Sequence, residues 1–353
     1  MTSTAVRLTE RPGSRGQIAH AFFGLDLGDE QLDALQKYFV YYSEELELLR
    51  KGISKDSWQS KGLPVTTYED IFHLVDVLRH NHQSRRPELR QCLTSRFRTS
   101  HVTGLNRSID LAIRLWLMVN TQDLEFAGLR HEATSVQWDD ENTLEDFVGS
   151  LFPHSRWQLT AQSNRLSPFF TVAFMQDVCG LRIQRTTSLH DHLQLDRFRK
   201  ELKIFPYKCH IKALIDSHGS GNAKQPPLIP LKVLRETKLS LDLLFPFWHS
   251  RTVALLAKEK QDFHEHGPFE AIRTLTLSDF DHWRDRLLDL HEEIFQAPPI
   301  SWAQLWRDRR NPQQFWTFWI AMVILILTCV ATVATIIQAW ASLKALGVSS
   351  RSA

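Results

Sequence analysis

The stretch FWTFWIAMVILILTCVATVATIIQAW, residues 315–340, decides how the rest of the chain is read. Within it, 318–340 is a run of 23 residues whose polar members are Thr328, Thr332, Thr335 and Gln338. The uncharged stretch extends further, over the 33 residues between Arg310 and Lys344. A helix of about 20 apolar residues crosses a hydrocarbon core of about 30 Å. Trp316 and Trp319 stand at one end of the run and Trp340 at the other. At about 1.5 Å rise per residue, Trp316 and Trp340 lie about 36 Å apart, the separation of two interfacial aromatic belts. A buried core helix is the weaker reading of so long a run without one charge. The sequence therefore predicts a transmembrane helix over 315–341 and the lipid bilayer as a partner.

Outward from this helix, charge suggests its direction. Arg307, Arg309 and Arg310 precede it and Lys344 and Arg351 follow, so the positive side leans towards the N-terminal flank. The three arginines either meet anionic lipid head groups, at about 1 kcal/mol each, or form an ordinary stop-transfer flank. Residues 1–17 are rich in Ser, Thr, Arg and Gly and lack the apolar core of a signal peptide. The expectation is a tail-anchored, single-pass protein with a cytosolic body, an endomembrane as its favoured address, and a short tail over 342–353. Thr328, Thr332, Thr335 and Ala339 share one helix face at i, i+4, i+7 and i+11. Small residues there fit close helix pairing and a homo-oligomer in the bilayer. The competing reading has each threonine hydroxyl bonded to its own backbone.

The rest of the chain has a different composition. Of 42 basic and 40 acidic side chains, only Lys344 and Arg351 follow Arg310. Aromatic content of 10% and near-neutral charge exclude disorder throughout. Basic residues alternate with acidic ones, so no stripe suited to phosphate contacts forms and no nucleic-acid partner is expected. Cys92, Cys179, Cys209 and Cys329 show no C-x-x-C pair or zinc-ribbon spacing, which fits a reducing compartment. The sequon at Asn106 is then inert.

Apolar periodicity predicts helices over 29–50, 68–79, 87–97, 108–119, 207–217, 231–245, 251–263 and 280–294. Pro87 suits a first helical turn. Asn142 with Glu145 reads as a capping box for a helix ending near Phe152, and Ser278 with Asp281 as the cap of the 280–294 helix. Pro168 opens a helix to Val178 with Gly180 at its C′ position. Strands are expected over 134–138, 181–185, 203–205 and 272–277. The fold class is α+β, a mostly helical cytosolic body with a few strands plus one C-terminal transmembrane helix. Its divisions are a flexible leader over 1–17, a body over 18–300 with an internal boundary near 218–230, and a juxtamembrane helix over 301–314.

Little in this body suggests chemistry. His190 and His192 flank Asp191, but residues i and i+2 of a helix point about 200° apart, so they grip one ion only on extended backbone. Asp139, Asp140 and Glu141 form an acidic run without the EF-hand pattern, and a turn that starts a helix explains it more simply. These four, His190, His192, Asp139 and Asp140, are the metal candidates, and none is strong. The Gly219-Ser220-Gly221 loop matches neither phosphate-binding glycine motif. No catalytic residue is assigned and no cofactor is expected.

Several strings resemble a family of uncharacterised single-pass proteins of filamentous fungi. They are Leu234-Arg235-Glu236-Thr237, Trp283-Arg284-Asp285-Arg286-Leu287, Leu189-His190-Asp191-His192-Leu193 and, most specific, the stretch from Leu305 to Trp319. The resemblance covers about residues 105–340. It carries no activity, and it implies a lineage-specific role in an accessory gene set. The CorA-like magnesium transporters share the order of large body and C-terminal membrane helices. This sequence lacks their Gly-Met-Asn signature and has one span. The functional expectation is a binding or scaffolding module with a cytosolic protein partner. The alternatives are a membrane-attached enzyme and a degenerate CorA-like channel subunit.

Overall fold

Helical periodicity is realised from the first described residue onward. The computed structural model describes residues 15–52, 64–97, 101–121, 135–157, 166, 170–219, 228–258, 276–295 and 312–349. Its helices begin with α1 (Arg15–Phe23), α2 (Asp29–Ala34), α3 (Gln36–Gly52), α4 (Tyr68–His80), α5 (Arg86–Phe97) and α6 (Val102–Leu117). Next come α7 (Leu144–Leu151), α8 (Val172–Asp177) and a small sheet of β1 (Arg182–Arg185), β2 (Leu195–Asp196) and β3 (Glu201–Ile204). Then follow α9 (Lys208–Gly219), α10 (Leu231–Leu244), α11 (Ser250–Lys258), α12 (Arg284–Phe295) and α13 (Pro312–Ser349). The chain is mostly helical with a small sheet, the α+β class expected.

The sheet order is β1-β3-β2, with β1 parallel and β2 antiparallel to β3. Leu202 and Ile204 of β3 face the core. Around it, α4 packs on α1 and α6, α5 on α6, and α9 on α1, α3 and α10. One apolar cluster runs from Ile18 to Ile294 and draws on residues both before and after positions 218–230.

The C-terminal turn of α6 shows how distant elements are joined. A helix end leaves carbonyls without intrahelical partners. Tyr41 Oη donates to Arg114 O at 3.1 Å, Tyr38 Oη to Leu115 O at 2.9 Å, and His210 Nε2 lies 2.9 Å from Trp116 O. Two elements, α3 and α9, thus cap a third. Arg79 of α4 does the same for α1, donating to Ala21 O at 2.9 Å and Phe22 O at 2.8 Å while its guanidinium lies over the Trp116 ring.

Several boundaries differ from expectation. Residues 15–17 belong to α1 rather than to a leader. The 29–50 helix is broken at Leu35, whose backbone leaves helical geometry (φ −87°, ψ 5°). The 134–138 strand reduces, within the described residues, to a single bridge between Thr121 and Val136. The α7 cap is Thr143, which accepts from Asp146 N at 3.1 Å, one position after the expected Asn142. Thr171 caps α8, so that helix starts later than Pro168 implies; Gly180 does adopt the left-handed region at φ +68°. Thr276 and Asp279 cap a single 3₁₀ turn (Leu277–Asp279), and α12 begins only at Arg284. The 272–275 part of an expected strand and residues 301–311 lie outside the described residues.

Candidate functional site

The expected metal candidates His190 and His192 sit between β1 and β2, on a 3₁₀ turn (Leu189–Asp191) that turns into extended backbone at His192. His190 Nδ1 faces Leu151 O at 3.3 Å. His192 is fully buried, with Nδ1 accepting from Phe205 N–H at 3.2 Å and Nε2 lying 2.7 Å from Ser240 Oγ. Ser240 Oγ in turn donates to Thr237 O at 2.7 Å. The direction of these bonds is fixed. Because Nδ1 accepts, Nε2 carries the proton and donates to Ser240.

A nucleophilic serine needs the opposite polarity, with histidine accepting from the hydroxyl and an acid accepting from Nδ1–H. Here Asp191 turns elsewhere, accepting from Thr186 Oγ1 at 3.3 Å and lying 3.6 Å from Lys203 Nζ. Burial, with help from the Arg286 charge, pushes the His192 pKa down to about 3, so the ring is a neutral structural element. Burial lowers His190 as well. The carbonyls of both histidines receive a single guanidinium nitrogen: Arg286 Nη1 donates to His190 O at 2.6 Å and to His192 O at 2.5 Å. A protein cation already occupies the position where a metal would find main-chain oxygen.

Arg286 lies over the Trp283 ring, 4.9 Å from its centroid. Trp283 is held by Glu236, a buried carboxylate on the apolar face of α10. Glu236 accepts from the backbone N–H groups of Asp281 (2.7 Å), His282 (2.8 Å) and Trp283 (3.1 Å). Trp283 Nε1 donates to Thr237 Oγ1 at 2.8 Å. These donors immediately precede α12, where a negative charge also meets the positive end of the helix dipole. Glu236 is therefore a main-chain clamp rather than an acid or base.

Asp139 and Asp140 do not converge on this region through any described contact. Asp140 is held bidentately by Arg90, at 2.9 and 2.8 Å, and that bonding draws its carboxyl below the usual range. Asp139 contributes its carbonyl to Asn142 N–H at 3.4 Å. Beside them Arg86 pairs with Asp110 at 2.6 Å, donates to Trp138 O at 2.9 Å, and lies over the Trp138 ring. Arg90 also donates to Asn106 Oδ1 at 3.0 Å, so the sequon lies within α6 with its amide engaged. Among the described residues no group of three or more His, Cys, Asp or Glu is placed to hold a metal ion.

Sequence reading missed Glu236, Ser240, Arg286, Arg86 and Asp110. One signal existed for two of them, a carboxylate inside an apolar helical stripe. Glu236 interrupts Val233, Leu234 and Leu241, and Asp110 interrupts Ile109, Ala112 and Ile113. Such groups are retained only where partners answer them.

Helix α13 behaves differently. Its stretch from Trp316 to Leu343, 28 residues, is long and apolar enough to cross a membrane, and none of its most apolar window is buried against the body. Trp316 and Trp340 are both well exposed and Trp319 half-buried. Thr328, Thr332 and Thr335 each donate to the carbonyl four residues back, at 2.7, 2.8 and 2.8 Å, and Ala339 is exposed. Arg307, Arg309 and Arg310 lie outside the described residues.

A concavity of about 530 Å³ borders the sheet, lined by Gln184, Gln194, Asp196, Arg199, Glu201 and Lys203 among others. Within its lining, Lys203 Nζ donates to Gln194 Oε1 at 3.2 Å and Arg199 approaches Asp196 at 3.9 Å. No family model matches the chain, and no curated protein or solved structure is significantly similar to it.

Proposed function

We propose that this chain is a single-pass membrane protein, anchored by α13, whose body works at the cytosolic surface as a binding or scaffolding module for a protein partner. The observation that carries the reading is the solvent-exposed 28-residue apolar helix with tryptophans near both ends. Leaving such a surface in water is expensive, and a bilayer satisfies it. The body supports the scaffold part of the reading. Its densest polar clusters, at His192, Glu236 and Arg86, are engaged in holding segments together rather than in presenting a reactive group. The resemblance to fungal single-pass proteins supports a lineage-specific role.

Alkaline carbonate extraction of expressing cells tests the anchor. The full chain is expected to stay in the membrane pellet and to leave it only with detergent. Val330→Arg places a charge near the centre of the span at a cost of about 3 kcal/mol and is expected to move a large fraction into the supernatant. Release of the unmodified chain by carbonate alone contradicts the reading.

A further inference from the structure

Phe198, at the tip of the β2–β3 hairpin, is 97% exposed, the highest value for any large apolar side chain among the described residues. The turn that carries it is firmly built. Asp196 Oδ1 accepts from the N–H groups of Phe198 at 3.0 Å and Arg199 at 2.9 Å, and Lys200 closes the turn in the left-handed region at φ +56°. Arg197 bonds Asp289 at 3.0 Å and Glu292 at 2.8 Å, and Lys200 bonds Glu293. These carboxylates run from the middle of α12 to its last turn, which ends at Phe295. Sixteen residues, 296–311, then separate α12 from α13, a reach of at most about 60 Å when fully extended. The exposed phenylalanine is thus fixed at the end of the body from which the chain proceeds to the apolar helix.

We infer that Phe198 is a second membrane contact, its ring entering the head-group boundary of the same bilayer that α13 crosses and setting the orientation of the body. The inference rests on the membrane reading above. Acidic and basic side chains balance around the tip: Asp196, Glu201, Asp289, Glu292 and Glu293 against Arg182, Arg197, Arg199, Lys200 and Lys203. Attraction to anionic lipid does not drive the contact, so burial of the apolar ring must, and a zwitterionic surface serves. One ring is too little to recruit a free protein. For a body already tethered, the second contact is intramolecular, and a weak interaction is enough to orient it.

The test uses the full chain reconstituted in phosphatidylcholine vesicles, with an environment-sensitive fluorescent amino acid at position 198 or, separately, at position 329 within α13. Position 198 is almost wholly in solvent, so the replacement leaves the circular dichroism melt unchanged. Doxyl-labelled lipids are expected to quench the probe at 198 by about twofold or more, with little effect of salt or of added phosphatidylserine. A probe at 198 that stays unquenched while the probe at 329 is quenched overturns the inference, and leaves Phe198 to a protein pocket. If neither probe is quenched, the membrane reading falls and takes the inference with it.

Discussion

Glu236→Gln preserves side-chain shape while removing the charge that the Asp281, His282 and Trp283 N–H groups and the start of α12 all favour. A loss of about 2–4 kcal/mol is expected, as a lower denaturant midpoint at unchanged slope. Two buried histidines make the stability of the body depend on acid. His192 and His210 are fully buried, and burial lowers their pKa values from 6.5 to about 3 and about 4. Folded, both stay neutral; unfolded, both take a proton near pH 6.5. Between those values the unfolded state binds more protons. Stability is therefore complete above about pH 6.5 and falls as pH drops towards 3–4, by up to about 1.4 kcal/mol per pH unit for each group. Thermal midpoints of His210→Gln and His192→Gln should depend less on pH in this window, and an unchanged slope in both contradicts the assignment. The structural role of neither histidine is marked by its neighbours in sequence. The partners of His192 are Phe205 and Ser240, and that of His210 is Trp116, contacts that local spacing does not encode.

Elements were more legible than residues, because a helix declares itself through a repeat of its own. The apolar positions of α4, α6, α9, α10 and α12 followed that repeat. Failures came where two local solutions were nearly equal. Asn142-x-x-Glu145 and Thr143-x-x-Asp146 are both capping patterns, and the use of Asn142 O by Trp138 Nε1 at 3.0 Å accompanies the second. The periodic pattern runs unbroken through Leu35, where the chain changes helices. Clustered arginines recur at the joints: Arg79 on Trp116, Arg86 on Trp138 and Arg286 on Trp283 each lay a guanidinium over an indole and donate to main-chain carbonyls. A planar cation suits both tasks at once. Within α13, the three threonine hydroxyls are committed to their own helix, so that face offers closeness rather than hydrogen bonds to a second helix. Cross-linked dimers in bilayers are accordingly expected to weaken with Thr332→Ile and to persist with Thr332→Ala.

At the scale of the whole molecule, the apolar cluster from Ile18 to Ile294 includes no residue of α13. A chain ending at residue 295 is therefore expected to melt cooperatively within a few degrees of the full chain in detergent, as followed by calorimetry. A much lower midpoint would show that the anchor helps hold the body together. Composition made this division readable from the start, since a charge-free run against a charged body needs no tertiary information. The length of α13 has one more consequence. Its 38 residues make a rod of about 57 Å, and the 23-residue apolar run alone spans about 34 Å. Early secretory bilayers are about 27 Å thick in their hydrocarbon layer and sterol-rich plasma membranes about 32–33 Å. In the thin bilayer the helix must tilt or stretch the lipid around it; in the thick one it stands nearly upright. For a membrane-spanning α13, hydrophobic mismatch is therefore smaller in the thicker bilayer than in the thinner one.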